Sequence, residues 1–353
     1  MPNPAIYDTA TLLEVARRVK PRAPRFFLPL FTRQINFDTQ DVMFDKVFED
    51  ERRLAPFVAP NVQGRPQRIH GYETLRFRPA YIKQKDIVSA EMHLERMAGE
   101  ALGTGSLSIE QRRNAVIAYL LRQQTLKIEN RWEWMAAKAV IDAQVTVEGE
   151  DYPAVTVDFR RHADLSATLS GANAWNQSTA KPLQDLREMR NEVKERSGVV
   201  VRNHVFGLEA WESFTQRVDL KDLMDKNYGG MNNSMTRAWD GFGDSLEYMG
   251  RISGLYGGGG FDAWVFTGRV VNEDGQEEFL LDQDTVIGVP SADALQGVRC
   301  FGAIHDARAG YRPLETFRKN WINEDPSVEY LLSQSAPLMV PKNPDTTFKI
   351  KVQ

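Results

Sequence analysis

The chain has 353 residues, of which 42% are hydrophobic and 26% charged, with a formal net charge of −4. That is ample length for a buried core, and it leaves no global basic field that would call for nucleic acid. A single cysteine, Cys300, excludes an internal disulfide and a cysteine-based zinc site, and fits folding in a reducing compartment.

Residues 1–35 read as an arm. The stretch 9–19 predicts a short helix with Leu12, Leu13 and Val15 or Ala16 inward, after which Pro21, Pro24 and Pro29 favour an extended path. Arg17, Arg18, Lys20, Arg22, Arg25 and Arg33 face only Asp8 and Glu14. This is either a solvated terminus or an arm, carried by Arg17, Arg18, Arg22 and Arg25, that packs on a neighbouring subunit or faces an anionic interior. The arm lacks a signal-type apolar stretch, and no segment of the chain approaches the length of a membrane helix, so cytosolic synthesis without membrane contact is expected.

Residues 54–86 read as two β runs, LAPFVAPNV and YETLRFRPAYIK, joined by the turn-rich VQGRPQRIHG into a long exposed hairpin. Its prolines argue against a central sheet position. Arg65, Arg68, Arg76, Arg78, Lys83 and Lys85 stand against the one acid Glu73. Nucleic acid is one partner for such a hairpin, but base-stacking aromatics are few. An acidic patch on another subunit suits it better, which makes these six residues candidate interface residues.

The stretch 108–142 predicts one long helix. Ser108 and Gln111 have the form of a capping box, no Gly or Pro follows until Gly149, and Val116, Tyr119 or Leu120, Ile128, Trp132, Met135 and Val140 recur at helical intervals. At 1.5 Å per residue this is a rod of roughly 50 Å. Strict heptads are absent, so the rod reads as the spine of an elongated domain rather than a coiled coil. A hairpin follows at 145–159, with Glu148, Glu150 and Asp151 at its turn: a carboxylate cluster able to hold a metal or do acid–base work, but more simply a solvated tip.

Beyond it, a helix is predicted from Pro182 to a stop at Gly198, a buried strand at 199–206, and a second helix around Leu208, Trp211 and Phe214. A glycine- and asparagine-rich stretch spans 228–260. Apolar strands follow, with Asp274–Gly275 as a hairpin turn. The tail ends in a strand with Phe348, Ile350 and Val352 alternating against Lys349 and Lys351, expected to pair with the 145–159 hairpin. No catalytic signature appears: the five histidines lack ligand spacing, no P-loop or G-x-S-x-G elbow exists, and Cys300 lies in an apolar strand.

Several motifs carry a resemblance in collinear order: TATLLEV at 9–15, RPAYIKQK at 78–85, SGVVVRNHVF at 197–206 with Trp211, FLLDQDTVIG at 279–288, GVRCFGAIHDA at 297–307, KNW at 319–321 and QSAPLMVPKNPD at 334–345. They make the chain similar to the tailed-bacteriophage major capsid proteins of Hong Kong 97-type fold, and within these to the phage lambda major head protein family. The resemblance implies an α+β fold with an N-terminal arm (1–35), an extended loop and its flanks (36–95), a peripheral domain with the spine helix (96–164 and 311–353) and an axial domain (165–310). It implies a self-assembling shell protein rather than an enzyme, without cofactor, metal or catalytic residues. Pentamers and hexamers of one chain would form an icosahedral head around double-stranded DNA, held non-specifically. The implied partners are the portal, a scaffold and a trimeric decoration protein, and the implied location is the virion after assembly in the host cytoplasm. An encapsulin-like compartment holding cargo protein, and a soluble α/β enzyme using the 148–151 carboxylates, are the alternative readings.

Overall fold

The structure, a computed structural model, describes residues 25–39, 41–47, 72–77, 79–89, 91–92, 108–149, 152–217, 245–252, 260–272, 274–323, 325 and 328–353. The helix predicted at 9–19, the first hairpin run at 54–62 and most of the glycine-rich stretch lie outside these residues.

One 33-residue helix, α1 (Ile109–Ile141), is the element against which most others pack. It starts where the capping box predicts: Gln111 donates its backbone N–H to Ser108 Oγ, and Ser108 donates its own to Gln111 Oε1, at 3.2 and 3.0 Å. The two halves bury differently. In the N-terminal half, Val116 and Gln124 are buried, while Ile109 and Tyr119 point to solvent, so the predicted stripe runs through Leu120 rather than Tyr119. In the C-terminal half Ile128, Trp132, Glu133, Met135, Ala136, Ala137, Ala139, Val140 and Ile141 are buried on nearly every side. The alanines let sheets approach the helix backbone closely there.

Two three-stranded sheets cover α1. Over its N-terminal half lies the order β15–β16–β4, formed by Phe317–Asn323, Val328–Ser335 and Ile82–Ser89, all antiparallel. Over the C-terminal half lies β1–β14–β17, formed by Arg33–Asn36, Val298–Phe301 and Pro337–Val340, where the Trp132 and Phe301 rings meet edge-on at 5.3 Å. The 72–83 run is therefore not one strand. It breaks at Pro79: Tyr72–Phe77 (β3) pairs with Val42–Val47 (β2), a stretch not anticipated as strand, while β4 crosses to the tail. After α1, Ala143 adopts φ 52° and the chain turns into the expected hairpin of Gln144–Gly149 (β5) and Tyr152–Asp158 (β6).

A six-stranded mixed sheet forms a second core, in the order β7–β18–β13–β8–β10–β9: Ser166–Thr168, Phe348–Lys351, Thr285–Val289, Asn203–Phe206, Phe261–Phe266 and Leu246–Ile252. Helices α2 (Pro182–Ser197) and α3 (Leu208–Arg217) pack on it through Leu186, Met189, Val193 and Phe214. The α2 stop at Gly198 has the predicted left-handed φ of 74°. A β11–β12 hairpin, Arg269–Val271 with Glu277–Phe279, turns at Gly275. The tail strand corrects an expectation: Ile350 sits opposite Val286 and Ala167, not in the 145–159 hairpin. Gly288 is the physical reason. A Cβ there would lie 2.1 Å from the Phe348 ring, so only glycine lets the tail close on β13. The predicted strand at 199–206 is shortened to 203–206; ahead of it Val200 is exposed and Val201 is buried.

Candidate functional site

The β15–β16–β4 sheet has two unlike faces. Its inner face meets α1: Val88 and Leu331 pack on Val116, Gln124 Nε2 donates to Asp86 Oδ2 at 2.8 Å, and Ser333 Oγ donates to Gln124 Oε1 at 2.6 Å. Glu329 is buried there too, accepting from the Arg113 guanidinium at 2.9 Å and from Asn320 at 2.8 Å. The strand pleat sends alternate residues to the opposite face in register: Trp321–Tyr330–Ile87, then Lys319–Leu332–Lys85, then Phe317–Gln334–Lys83, of which Leu332 and Gln334 are buried and Phe317 packs against Ile304, Ala309 and Ala336. Trp321 and Tyr330 stack at 5.2 Å. The Lys85 Nζ sits 4.0 Å from the Tyr330 ring centre and 5.5 Å from that of Trp321, and Lys319 lies 5.5 Å over Trp321 while pairing with Asp306. Neither ring belongs to any buried core cluster, and Ile87 beside them is half exposed. The result is a half-buried ring pair held under Lys85 and Lys319 at one end of this face.

A second built feature lies at the other end of α1. Glu133 is fully buried, and its carboxylate accepts three backbone N–H groups: Phe26 and Phe27 on Oε1, both at 2.7 Å, and Leu28 on Oε2 at 2.8 Å. Burial pushes this carboxyl up to about 7, against the three amide donors and the nearby Arg25 charge, which pull it down. The next residue back, Arg25, pairs with Glu129 one helical turn away on α1. Phe26, Phe27 and Phe31 fill the core around this clamp, with Phe26 and Phe27 both near the Phe266 ring. Residues 25–28 are therefore tied to α1 through Glu129 and Glu133.

The family described as Phage major capsid protein E matches residues 8–352 of the sequence. The chain belongs to the phage major capsid protein E family. Its relatives include the major capsid protein of Escherichia phage lambda, 30% identical over 99% of both chains, and that of Escherichia phage N15, 28% identical over the same share. The crystal structure of the capsid protein of an E. coli CFT073 prophage superposes with a TM-score of 0.69 at 22% identity, covering 99% of this chain and 100% of that one. The capsid of cyanophage P-SCSP1u matches with a TM-score of 0.50 at 8% identity, over 94% and 89% of the two chains. The fold is thus the Hong Kong 97-type α+β capsid fold, and the chain is a phage head shell protein of the lambda-like kind rather than an enzyme.

In this capsid protein the residues singled out from sequence fall in different places. Arg76 is exposed and pairs with Asp41, its guanidinium Nε 2.7 Å from Oδ2. Lys83 and Lys85 stand on the opposite sheet face, whereas Arg25 turns to Glu129 on α1. Arg17, Arg18, Arg22, Arg65, Arg68 and Arg78 lie outside the described residues. Of the turn carboxylates, Glu148 is exposed, and Glu150 and Asp151 also lie outside. No group of three or more His, Cys, Asp or Glu among the described residues is arranged to hold a metal, and among them no helix is long and apolar enough to cross a membrane. Cys300 is buried and its thiol is pushed up to about 12, which leaves no thiolate nucleophile at neutral pH. Sequence reasoning missed Glu133 and the Trp321–Tyr330 pair. A lone acid between Trp132 and Trp134, in the half of α1 richest in apolar residues, was the available signal for the first.

Proposed function

We propose that this capsid protein assembles as pentamers and hexamers of one chain into an icosahedral head that encloses double-stranded DNA. The observation that carries the reading is the family match over residues 8–352, joined to Lys85 and a half-buried Trp321–Tyr330 stack that belongs to no core cluster. Rings and cations of this kind, desolvated by a partner, supply much of the energy of protein interfaces. In the proposed arrangement 1–35 is the arm, 36–95 the extended loop with its flanks, 96–164 and 311–353 the peripheral domain, and 165–310 the axial domain. Arg65, Arg68, Arg76 and Arg78 would meet a neighbouring subunit, and Arg17, Arg18 and Arg22 a neighbour or the lumen. Portal, scaffold and a trimeric decoration protein are the proposed partners, DNA is held without sequence readout, and assembly takes place in the host cytoplasm before the virion leaves.

Expression of the full chain followed by sedimentation and electron microscopy tests this. Shells or capsomers support it; a monomer at all concentrations, with or without the other head proteins, contradicts it. Particles from the native source that hold cargo protein instead of DNA would turn the reading to a compartment.

A further inference from the structure

We infer that Arg161 is the joint that fixes the spine helix to the six-stranded sheet, and that the orientation it sets governs the curvature of the shell. The inference rests on the proposed self-assembly and names a positioning residue for it.

The joint is built where α1 ends. A helix leaves its last carbonyls without partners inside the helix. Arg161 fills two of these places: its Nη1 donates to the Val140 carbonyl at 3.2 Å and its Nη2 to the Ile141 carbonyl at 2.9 Å. The same two nitrogens reach the sheet, Nη1 donating to Thr347 Oγ1 at 3.1 Å and Nη2 to Ser166 Oγ at 2.8 Å. Ser166 opens β7 and Thr347 stands directly before β18, strands that pair in parallel at one edge of the sheet. One planar guanidinium thus ties a helix end to two strands, a geometry that a fork of fixed donors holds and a single ammonium does not. Beside it Lys349 of β18 donates to Asp142, the residue that follows α1, at 2.6 Å. Burial lowers the Arg161 guanidinium to about 10, with the Asp142 and Asp345 charges acting against it, so it stays cationic at neutral pH and suits the helix C-terminus.

These bonds supply a direction that apolar packing lacks. Val140 and Ile141 share a core with Val205, Ile287 and Val289 of the sheet, and burial of that kind is non-directional. The backbone leaves the joint little slack. The chain departs from α1 through Ala143 at φ 52° and returns through Arg160 at φ 56°, left-handed positions that non-glycine residues seldom take. Between them the Phe159 N–H donates to the Ala143 carbonyl at 2.9 Å, which closes the base of the β5–β6 hairpin and delivers Arg161 back to the helix end. In a shell of one repeated chain, the setting of helix on sheet within each subunit sets the angle between neighbours. A rotation that does not close gives open tubes instead of rings.

The test compares the full chain as wild type, Arg161→Met, Arg161→Lys and Ser166→Ala/Thr347→Val. The last variant removes the sheet-side acceptors and leaves Arg161 with its helix bonds, so the answer stands even where Arg161→Met does not fold. Electron microscopy should show one particle diameter for the wild type, and a spread of diameters or open tubes for all three variants. In the unassembled protein the amides of Asp142 and Phe159 should exchange hydrogen about ten-fold faster in the variants, while those of the β15–β16–β4 sheet keep their wild-type rates. Variant particles of wild-type diameter, with only yield or melting temperature lowered, would make Arg161 a plain stabilising contact and overturn the inference. Unchanged exchange at both amides overturns the joint as well. If the wild-type chain forms no particles, the shell reading fails by itself, while the exchange rates still decide the joint.

Discussion

Glu133 on the spine helix accepts the backbone N–H of Phe27 at 2.7 Å, in a place where no solvent reaches either group. The amides of Phe26 and Leu28 bind the same carboxylate, so it satisfies three consecutive backbone donors that enter the core without secondary-structure partners. Glu133→Ala should therefore cost about 3 kcal/mol or more, since buried amides left unmade cost roughly 1–3 kcal/mol each. Glu133→Gln keeps one oxygen for two of the amides and sets its NH2 against the third, so about half that loss is expected. Chemical denaturation of both variants checks the order; equal stability of Ala, Gln and wild type would remove the clamp.

The spine itself is tested at Trp132, which is buried against Phe301. Trp132→Ala should destabilise by about 4 kcal/mol through lost contacts and the cavity left behind. An unaltered melting temperature would mean that the ring is not packed.

Closure of the tail is tested at Gly288. Gly288→Ala puts a methyl where the Phe348 ring lies, 2.1 Å from the nearest ring carbon, so about 2 kcal/mol is lost to overpacking. Phe348→Leu in the same chain should recover part of the loss, and no recovery would place the strain elsewhere.

His204 gives the six-stranded sheet a pH dependence. It is fully buried, stacked on Phe261 at 4.2 Å, and neither ring nitrogen has a hydrogen-bond partner among the described residues. Burial, assisted by the charge of Arg190, holds its imidazole well below the ordinary value of 6.5. The unfolded chain takes up a proton near that value and the folded chain does not, so this contribution is complete above it and is lost as the pH falls. The slope is about 1.4 kcal/mol per pH unit. Relative to His204→Leu, the wild-type melting temperature should drop as the pH is lowered from neutral to about one unit below the ordinary imidazole value. Parallel curves for the two proteins would count against a neutral buried ring.

Arg76→Glu should impair assembly while leaving folding nearly intact. Its pair with Asp41 is solvent-exposed on the arginine side, and such pairs contribute at most about 1 kcal/mol. Particle yield measured beside the melting temperature separates the two effects, and an unchanged yield would take Arg76 out of the interface.

The local signals were legible in the sequence: the capping box at Ser108, the glycine stop at Gly198 and the 145–159 hairpin all stand where residue chemistry puts them. What local chemistry does not carry is pairing between distant strands. Pro79 argued against a central sheet position for the 72–83 run, but nothing near it said that β3 would pair with 42–47 while β4 crossed to 328–335. The tail strand showed its alternation plainly, yet its partner was decided by the missing side chain at Gly288, far upstream in the chain. The lysines at 83 and 85 were visible as charges; the aromatic pair beneath Lys85 comes from two other strands.

Cryo-electron microscopy of particles purified from cells expressing the full chain tests the central claim most directly. Closed icosahedral shells built of pentamers and hexamers, with the spine helix and both covering sheets fitted in every subunit, are the predicted result. A preparation that holds only dispersed monomers, under conditions where the protein is folded and the other head proteins are supplied, would contradict it.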